Sequence, residues 1–220
     1  MLEQQKQYLT TQFLELAGHV EDAMMNAFNA VLTNDSELAG KVAQGDNIID
    51  SREVMFEEEC LKVLALYQPV ARDLRFIIAL LKINNDMERI ADLAGNMASR
   101  VIALEGEERL PIPFDFKSMS ETVQNMLKNV MSSFTHYDPA FVTSIFEDES
   151  KIDSMHRTMY RNIKEEIMKN PGKINVYITY ISYSRYIERM ADHIVNIAED
   201  IHYLIGGKII RHSDVSRGVK

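Results

Sequence analysis

Apolar residues recur with a helical period along almost the whole chain. Leu9, Phe13, Leu16, Val20, Met24, Ala27 and Val31 fall three or four positions apart, which predicts an amphipathic helix from about 5 to 33. Thr33-Asn34-Asp35 interrupts the pattern, and Asp35 or Ser36 can cap a second helix running to about Leu66. Gln68-Pro69 ends that helix, and Pro69 suits the first turn of a third reaching about Leu104. Pro111 and Pro113, one residue apart, do not continue a helix, so 105–115 reads as a linker. Met119, Val123, Met126, Val130 and Phe134 then mark a fourth helix from about 116. Asp138-Pro139 opens a fifth, Asn170-Pro171-Gly172 closes it, and a sixth extends to about Ile205. Gly206-Gly207 stops the sixth and leaves a polar, mobile tail over 206–220.

The pattern repeats. Asp35 corresponds to Asp138 and Ile49-Asp50-Ser51 to Ile152-Asp153-Ser154, both at an offset of 103. Pro69 corresponds to Pro171 at 102, and Glu88-Arg89-Ile90-Ala91-Asp92 to Glu188-Arg189-Met190-Ala191-Asp192 at 100. The expected fold is therefore all-α, two tandem three-helix bundles over 1–104 and 116–205, each up-down-up because its loops are short.

Composition narrows the function. The formal net charge is −9, and no basic surface is in view for binding nucleic acid through its phosphates. No run of about 18 apolar residues is present, so no membrane insertion is expected. The one cysteine, Cys60, follows Glu57-Glu58-Glu59 and reads as a passive thiol in a reducing cytoplasm. His19, His136 and His212 are scattered and suggest no site.

Four carboxylate pairs are spaced i, i+4: Asp46 with Asp50, Glu88 with Asp92, Glu149 with Asp153, and Glu188 with Asp192. On a helix each pair shares a face, where like charges repel unless a cation or water separates them. Counted from the hairpins near 68 and 171, the pairs on neighbouring helices fall at nearly the same height. Each repeat should thus gather four carboxylates. On helix 3 the seam Ile83, Met87, Ile90, Ala94, Met97 and Val101 is apolar, and Glu88, Asp92 and Asn96 point away from it. Ile187, Met190, Ile194, Ile197 and Ile201 repeat this against Glu188, Asp192 and Asn196, which places the acids on an outer flank. A solvated acidic face would look similar. Retention favours a cation site: seven of 24 positions match between 77–100 and 177–200, six of them between 88 and 98, so the polar stripe keeps its identities while the seam keeps only its character. Hard oxygen ligands of this kind suit Mg, Ca, Mn or Fe. Arg89 and Arg189 read as surface residues ahead of counter-charges to these carboxylates, and His193 as a surface histidine ahead of an accessory donor. Asn96 and Asn196 serve equally well as neutral ligands or as hydrogen-bond partners.

The spacing of the remaining motifs argues against two other chemistries. A di-iron carboxylate bundle needs two E/D-x-x-H motifs level with each other. Glu199-x-x-His202 and Asp153-x-x-His156 differ in height by about ten residues, or ~15 Å, which is too far to share a centre. A phosphate-binding loop of the G-x-x-x-x-G-K-[ST] type is absent, and Gly206-Gly207-Lys208 is too short to replace it.

Glu88-Arg89-Ile90-Ala91-Asp92-Leu93-Ala94-Gly95-Asn96 and Glu188-Arg189-Met190-Ala191-Asp192-His193-Ile194-Val195-Asn196 resemble the repeated E-R-I-G-D-x-A-x-N signature of the PhoU family. Leu74-Arg75-Phe76-Ile77-Ile78-Ala79-Leu80-Leu81-Lys82-Ile83 fits the first repeat as well, and the likeness spans about 5 to 205. Ala91 and Ala191 stand where that signature has Gly, a change that favours helix. The resemblance implies a non-catalytic, homodimeric, cytoplasmic regulator of phosphate uptake and phosphate-starvation signalling, held at the inner face of the membrane through its partners. Those partners would be the ATPase subunit of the phosphate ABC transporter and a sensor histidine kinase. It further implies that Asp46, Asp50, Glu88, Asp92, Glu149, Asp153, Glu188 and Asp192 bind divalent metal, or iron or zinc ions, through paired E(D)-x-x-x-D motifs.

Overall fold

The computed structural model describes residues 1–138, 140 and 142–207. Pro139 of the expected cap, residues 208–220 of the expected tail and His212 lie outside the described residues. Among the described residues there are six long helices and no strand: α1 (Leu2–Thr33), α2 (Ser36–Tyr67), α3 (Ala71–Ala103), α4 (Phe116–His136), α5 (Val142–Lys169) and α6 (Ile174–Gly206).

The breaks fall where the local chemistry requires them. Asn34 turns left-handed to end α1, and Asp35 caps α2 by accepting the Leu38 N–H at 2.9 Å. Gln68 ends α2 in the left-handed region, and α3 begins only after Val70. Pro69 therefore precedes the third helix instead of entering its first turn, because the chain needs Ala71 at a φ of 50° to re-enter helix. In the second repeat Pro171 opens a short 3-10 turn that leads into α6. Asp115 caps α4, accepting from Ser118 N–H at 3.0 Å, and Asp138 accepts from Ala140 N–H at 2.9 Å just before α5. Gly207, at a φ of 69°, closes α6.

Each repeat forms its expected bundle, α1–α2–α3 and α4–α5–α6. The two then share one core. α3 and α6 pack antiparallel, tied at the rim by Lys82–Asp200 at 2.7 Å and by Asp86 with His193 at 2.8 Å. With the 100-residue offset, this register sets the crossing level with residues 91 and 191. α1 packs on α4 through Phe13 edge-on to Phe134 at 5.0 Å and Phe28 edge-on to Phe116 at 6.0 Å. The linker is strapped across the same junction. Arg109 donates to the Leu32 and Thr33 carbonyls that end α1, and the Tyr180 hydroxyl donates to the Leu110 carbonyl at 2.6 Å. Cys60 is fully buried, and burial, with Glu57 and Glu59 nearby, pushes its thiol up to about 12, which makes it unreactive.

Candidate metal centre between paired helices

The hairpin at Gln68 sets the register between α2 and α3. Asn84, buried on α3, donates to both the backbone carbonyl (3.2 Å) and the Oε1 (2.9 Å) of Glu53 on α2. This clamp brings Asp46 and Asp50 level with Asp92. The three residues each offer a carboxylate oxygen, all within 4.8 Å of one another. Gly95 makes the approach possible. A Cβ there would lie 3.3 Å from Asp46 Oδ2, so the missing side chain is the space into which Asp46 folds.

Glu88 completes the quartet from one turn earlier on α3. Its Oε2 is buried without a hydrogen bond, though Arg89 Nε lies 3.2 Å away. Asp50 Oδ1 is likewise buried with no hydrogen-bond partner. Buried orphan oxygens are rare in folded proteins, and a water or a cation can satisfy them. The electrostatics agree. Burial first, then Asp50 and Asp92, raise the Asp46 carboxyl above its ordinary value. Burial and Asp92 raise Glu88 against the pull of Arg89. Glu53 is raised by burial, Glu57 and Asp50. Four acids competing for negative charge in one groove fit a divalent cation with oxygen ligands. The acids flank the core as expected, yet they are half-buried in the α2–α3 groove because α2 closes over them.

The second repeat is built differently. Burial, with Asp153 and Glu149, raises Glu188, so those three carboxylates share a groove between α5 and α6. Among the described residues, however, no second set of three acids converges as closely as Asp46, Asp50 and Asp92. Asp192, exposed on α6, does not join such a set. Where the first repeat has Glu53 and Asn84, the second has His156 and Ser184, with His156 Nδ1 and Ser184 Oγ 2.8 Å apart. The Ser184 hydroxyl in turn donates toward Met119 Sδ at 3.8 Å. Burial lowers the His156 pKa, keeping the ring neutral. Val195 stands where the first repeat has Gly95, and the longer Glu149 where it has Asp46.

Two expectations are corrected, and one left open, that of Asn196, is decided. Arg89 is a counter-charge, 3.1 Å from Asp92 Oδ2 and 3.2 Å from Glu88 Oε2, because i+3 on the helix brings Asp92 within its reach. His193 is half-buried and bonded to Asp86, since the α3–α6 packing covers its side of α6. Asn196 donates to the same Asp86 oxygen at 3.3 Å, which makes it a hydrogen-bond partner. The two E/D-x-x-H motifs are far apart. His156 contacts Ser184, and His202 lies 18 residues further along α6, or ~27 Å. Helical periodicity does not single out Gly95, Glu53 or Asn84. The repeat offset does point to them, through the Glu53/His156, Asn84/Ser184 and Gly95/Val195 exchanges.

Among the described residues no helix is long and apolar enough to cross a membrane. The PhoU domain matches this chain twice, over residues 13–101 and 116–201. A phosphate-specific transport system accessory protein PhoU homolog of Pseudomonas aeruginosa is 34% identical over 205 residues, covering 93% of this chain and 85% of that protein. The accessory protein PhoU of Serratia marcescens is 30% identical over 204 residues, with 93% and 84% covered. The crystal structure of PhoU from Pseudomonas aeruginosa superposes with a TM-score of 0.90 at 32% identity, covering 94% of this chain and all of that one. The phosphate transport system regulatory protein PhoU from Streptococcus pneumoniae gives 0.87 at 26% identity, covering 96% of this chain. A duplicated domain match over both repeats, joined to the same six-helix architecture, establishes that the chain belongs to the PhoU family.

Proposed function

We propose that this chain is a non-catalytic regulator of phosphate uptake and phosphate-starvation signalling, acting as an adaptor between a phosphate ABC transporter's ATPase subunit and a sensor histidine kinase. Its relatives are named as accessory proteins of a phosphate-specific transport system, which supports the transport-associated role. A homodimer at the cytoplasmic face of the membrane is the form in which it would meet both partners.

In this reading the α2–α3 groove holds a hard divalent cation, with Asp46, Asp50, Asp92 and Glu88 as the ligands. Such an ion would neutralise the quartet and join α2 to α3. Glu149, Asp153, Glu188 and Asp192 would hold a second ion between α5 and α6, or iron or zinc, whose softer preference the neighbouring neutral His156 suits better. The observation that carries the proposal is the convergence of three aspartates around a buried, unpartnered Asp50 oxygen. A catalytic di-iron centre is disfavoured by the separation of the two histidine motifs.

The test combines calorimetric titration of chelator-treated protein with Mg, Ca, Mn, Fe(II) and Zn and co-purification with the ATPase subunit at high and low phosphate. Saturable binding in the wild type that falls at least tenfold in Asp50→Asn, with phosphate-dependent capture of the ATPase, supports the reading. Equal binding by both proteins removes the cation site; absence of capture at either phosphate level removes the adaptor.

A further inference from the structure

The outward stripe of α3 changes character along its length. Leu74, Ile78, Leu81, Asn85, Glu88 and Asp92 follow one another at three- and four-residue steps and share one face. The acidic end is the cation groove. The other end is apolar and open: Leu74 is 40% exposed and Ile78 37%. The matching stripe of α2 runs Asp50, Glu53, Glu57, Leu61, and the Glu53–Asn84 clamp fixes its register so that Leu61 stands two residues, or ~3 Å, from the height of Ile78. Leu61 is itself 50% exposed, and Val70 at the hairpin is more open still.

Single exposed leucines need no explanation, but here the exposure is duplicated. Ile174 and Ile178 stand at the 100-residue offset from Leu74 and Ile78, and both are exposed. Core packing does not account for an apolar pair kept outside in both repeats. What differs between the repeats is charge. In the first, Glu53 and Glu57 lie beside the patch, and among the described residues no ion pair joins either of them; the pull of Arg89 is the smallest of the influences on Glu53. Arg52, on the far side of α2, reaches Glu15 at 3.7 Å, Lys62 is taken by Glu59 at 2.7 Å, and Arg89 is held by Glu88 and Asp92. In the second, the positions of Glu53, Glu57 and Leu61 are filled by His156, Tyr160 and Lys164.

We propose that the outer α2–α3 face, from Leu61, Leu74 and Ile78 to Glu53 and Glu57, is the docking surface for a basic amphipathic helix of a partner protein. Leu or Ile side chains of that helix cover the open apolar end, and Lys or Arg one to two turns on meet the glutamates. From Leu74 to Asn84, the residue clamped to Glu53, the face measures ~15 Å, the length of a helix of about ten residues. The α5–α6 face, without the glutamates, does not take the same partner. The inference does not depend on the cation reading, because Glu53 and Glu57 lie outside the quartet.

The test is fluorescence anisotropy of the full chain, in EDTA, with a labelled helical peptide of about 15 residues. It carries Leu at i, i+4 and i+7 and Arg on the following two turns; a control peptide has Glu in place of Arg. Saturable binding by the Arg peptide is expected, weakened at least tenfold by Leu61→Ser with Ile78→Ser, and similarly by Glu57→Lys, with a shallower salt dependence in the latter. Ile178→Ser should leave binding unchanged. All substituted positions are exposed, and thermal melts confirm that the variants fold. The proposal is overturned by equal binding of the Glu peptide, by an Ile178→Ser effect as large as that of Ile78→Ser, or by no saturation. It is also overturned if binding appears only after residues 208–220 are removed, or if the patch instead drives self-association lost in Ile78→Ser. Those results would give the face to the chain's own C-terminal segment or to a second copy.

Discussion

Gly95 offers a direct test of how the first acidic quartet is assembled. Replacing it with alanine puts a methyl 3.3 Å from Asp46 Oδ2 and 3.4 Å from Asp46 Cγ, closer than ordinary van der Waals contact. The backbone there is ordinary helix, so alanine gains about 1 kcal/mol of helix propensity over glycine. Asp46 is only half-buried and can swing outward by a few tenths of an ångström, so the clash subtracts little from that gain. Gly95→Ala should therefore leave the fold as stable or raise Tm by about 2–4 °C. It should still weaken cation binding, on the order of tenfold, as the loss of a supporting contact to a ligand typically does. Gly95→Val, with a branched Cβ, should do so more severely.

The second repeat suggests the repair. It pairs Val195 with Glu149, one methylene longer than Asp46. Adding Asp46→Glu to Gly95→Val lets the carboxylate reach around the new side chain, so the double variant should recover most of the lost affinity. Urea melts and calorimetric titrations of wild type, both single variants and the double variant close a thermodynamic cycle. Additive effects, or a Gly95→Val protein that binds cations like wild type, would refute the account of Gly95 as the space Asp46 occupies.

Three further outcomes are expected. Asp46, Glu53, Glu88 and Glu188 all have carboxyls raised by burial and mutual repulsion, so the folded chain holds protons that the unfolded chain releases. Metal-free protein should lose stability as pH rises from the ordinary carboxylate range toward neutral, and urea melts in EDTA should show a smaller loss in Asp50→Asn, which removes a repulsive neighbour of Asp46, Glu53 and Glu88. Cys60, buried with its thiol raised to about 12, should resist a disulfide reagent in native buffer and react once in denaturant; prompt native reaction would contradict its placement. Phe13→Ala removes a fully buried ring that meets both Phe56 of its own repeat and Phe134 of the other, and should cost about 3–5 kcal/mol in a single cooperative unfolding transition. Two separated transitions in the wild type would instead mean that the repeats unfold independently.

Much of this architecture is legible in the chain because its signals are local. Asp35, the Pro111/Pro113 pair and Gly206-Gly207 act within one helical turn, and the seams of α3 and α6 need only a period of 3.6. The convergence of Asp46, Asp50 and Asp92 follows from counting residues back from a hairpin, which works because α2 and α3 are unbroken helices joined by a short turn. What the count misses depends on the partner surface. His193 looks exposed until α3 covers its side of α6, whereas the Arg89 pairs with Glu88 and Asp92 lie within one helix and were legible in the i, i+3 spacing. The count also treats the two quartets as alike, since it cannot see that Val195 fills the space that Gly95 leaves open. The merging of two bundles through Phe13–Phe134 and Asp86–His193 is likewise hidden, because each bundle's pattern is already complete without its neighbour.

The repeats have diverged unevenly, and the packing explains where. Each of α3 and α6 faces three ways: into its own bundle, against the other across the crossing, and along the acidic groove. Substitution there is constrained on every side, and the groove stripe keeps Glu-Arg-x-Ala-Asp and the following Asn in both copies. α2 and α5 lie further out, packing mainly within their own repeats. Along the length of α2 only three of 32 positions match their counterparts, all at Ile49-Asp50-Ser51, the turn that carries the central aspartate. Everything that distinguishes the two grooves, Glu53 against His156, Glu57 against Tyr160 and Leu61 against Lys164, sits on this freer pair of helices. The shared helices thus hold a common acidic scaffold in place, while the outer ones give each half its own chemistry. One duplicated fold can in this way present two unlike faces.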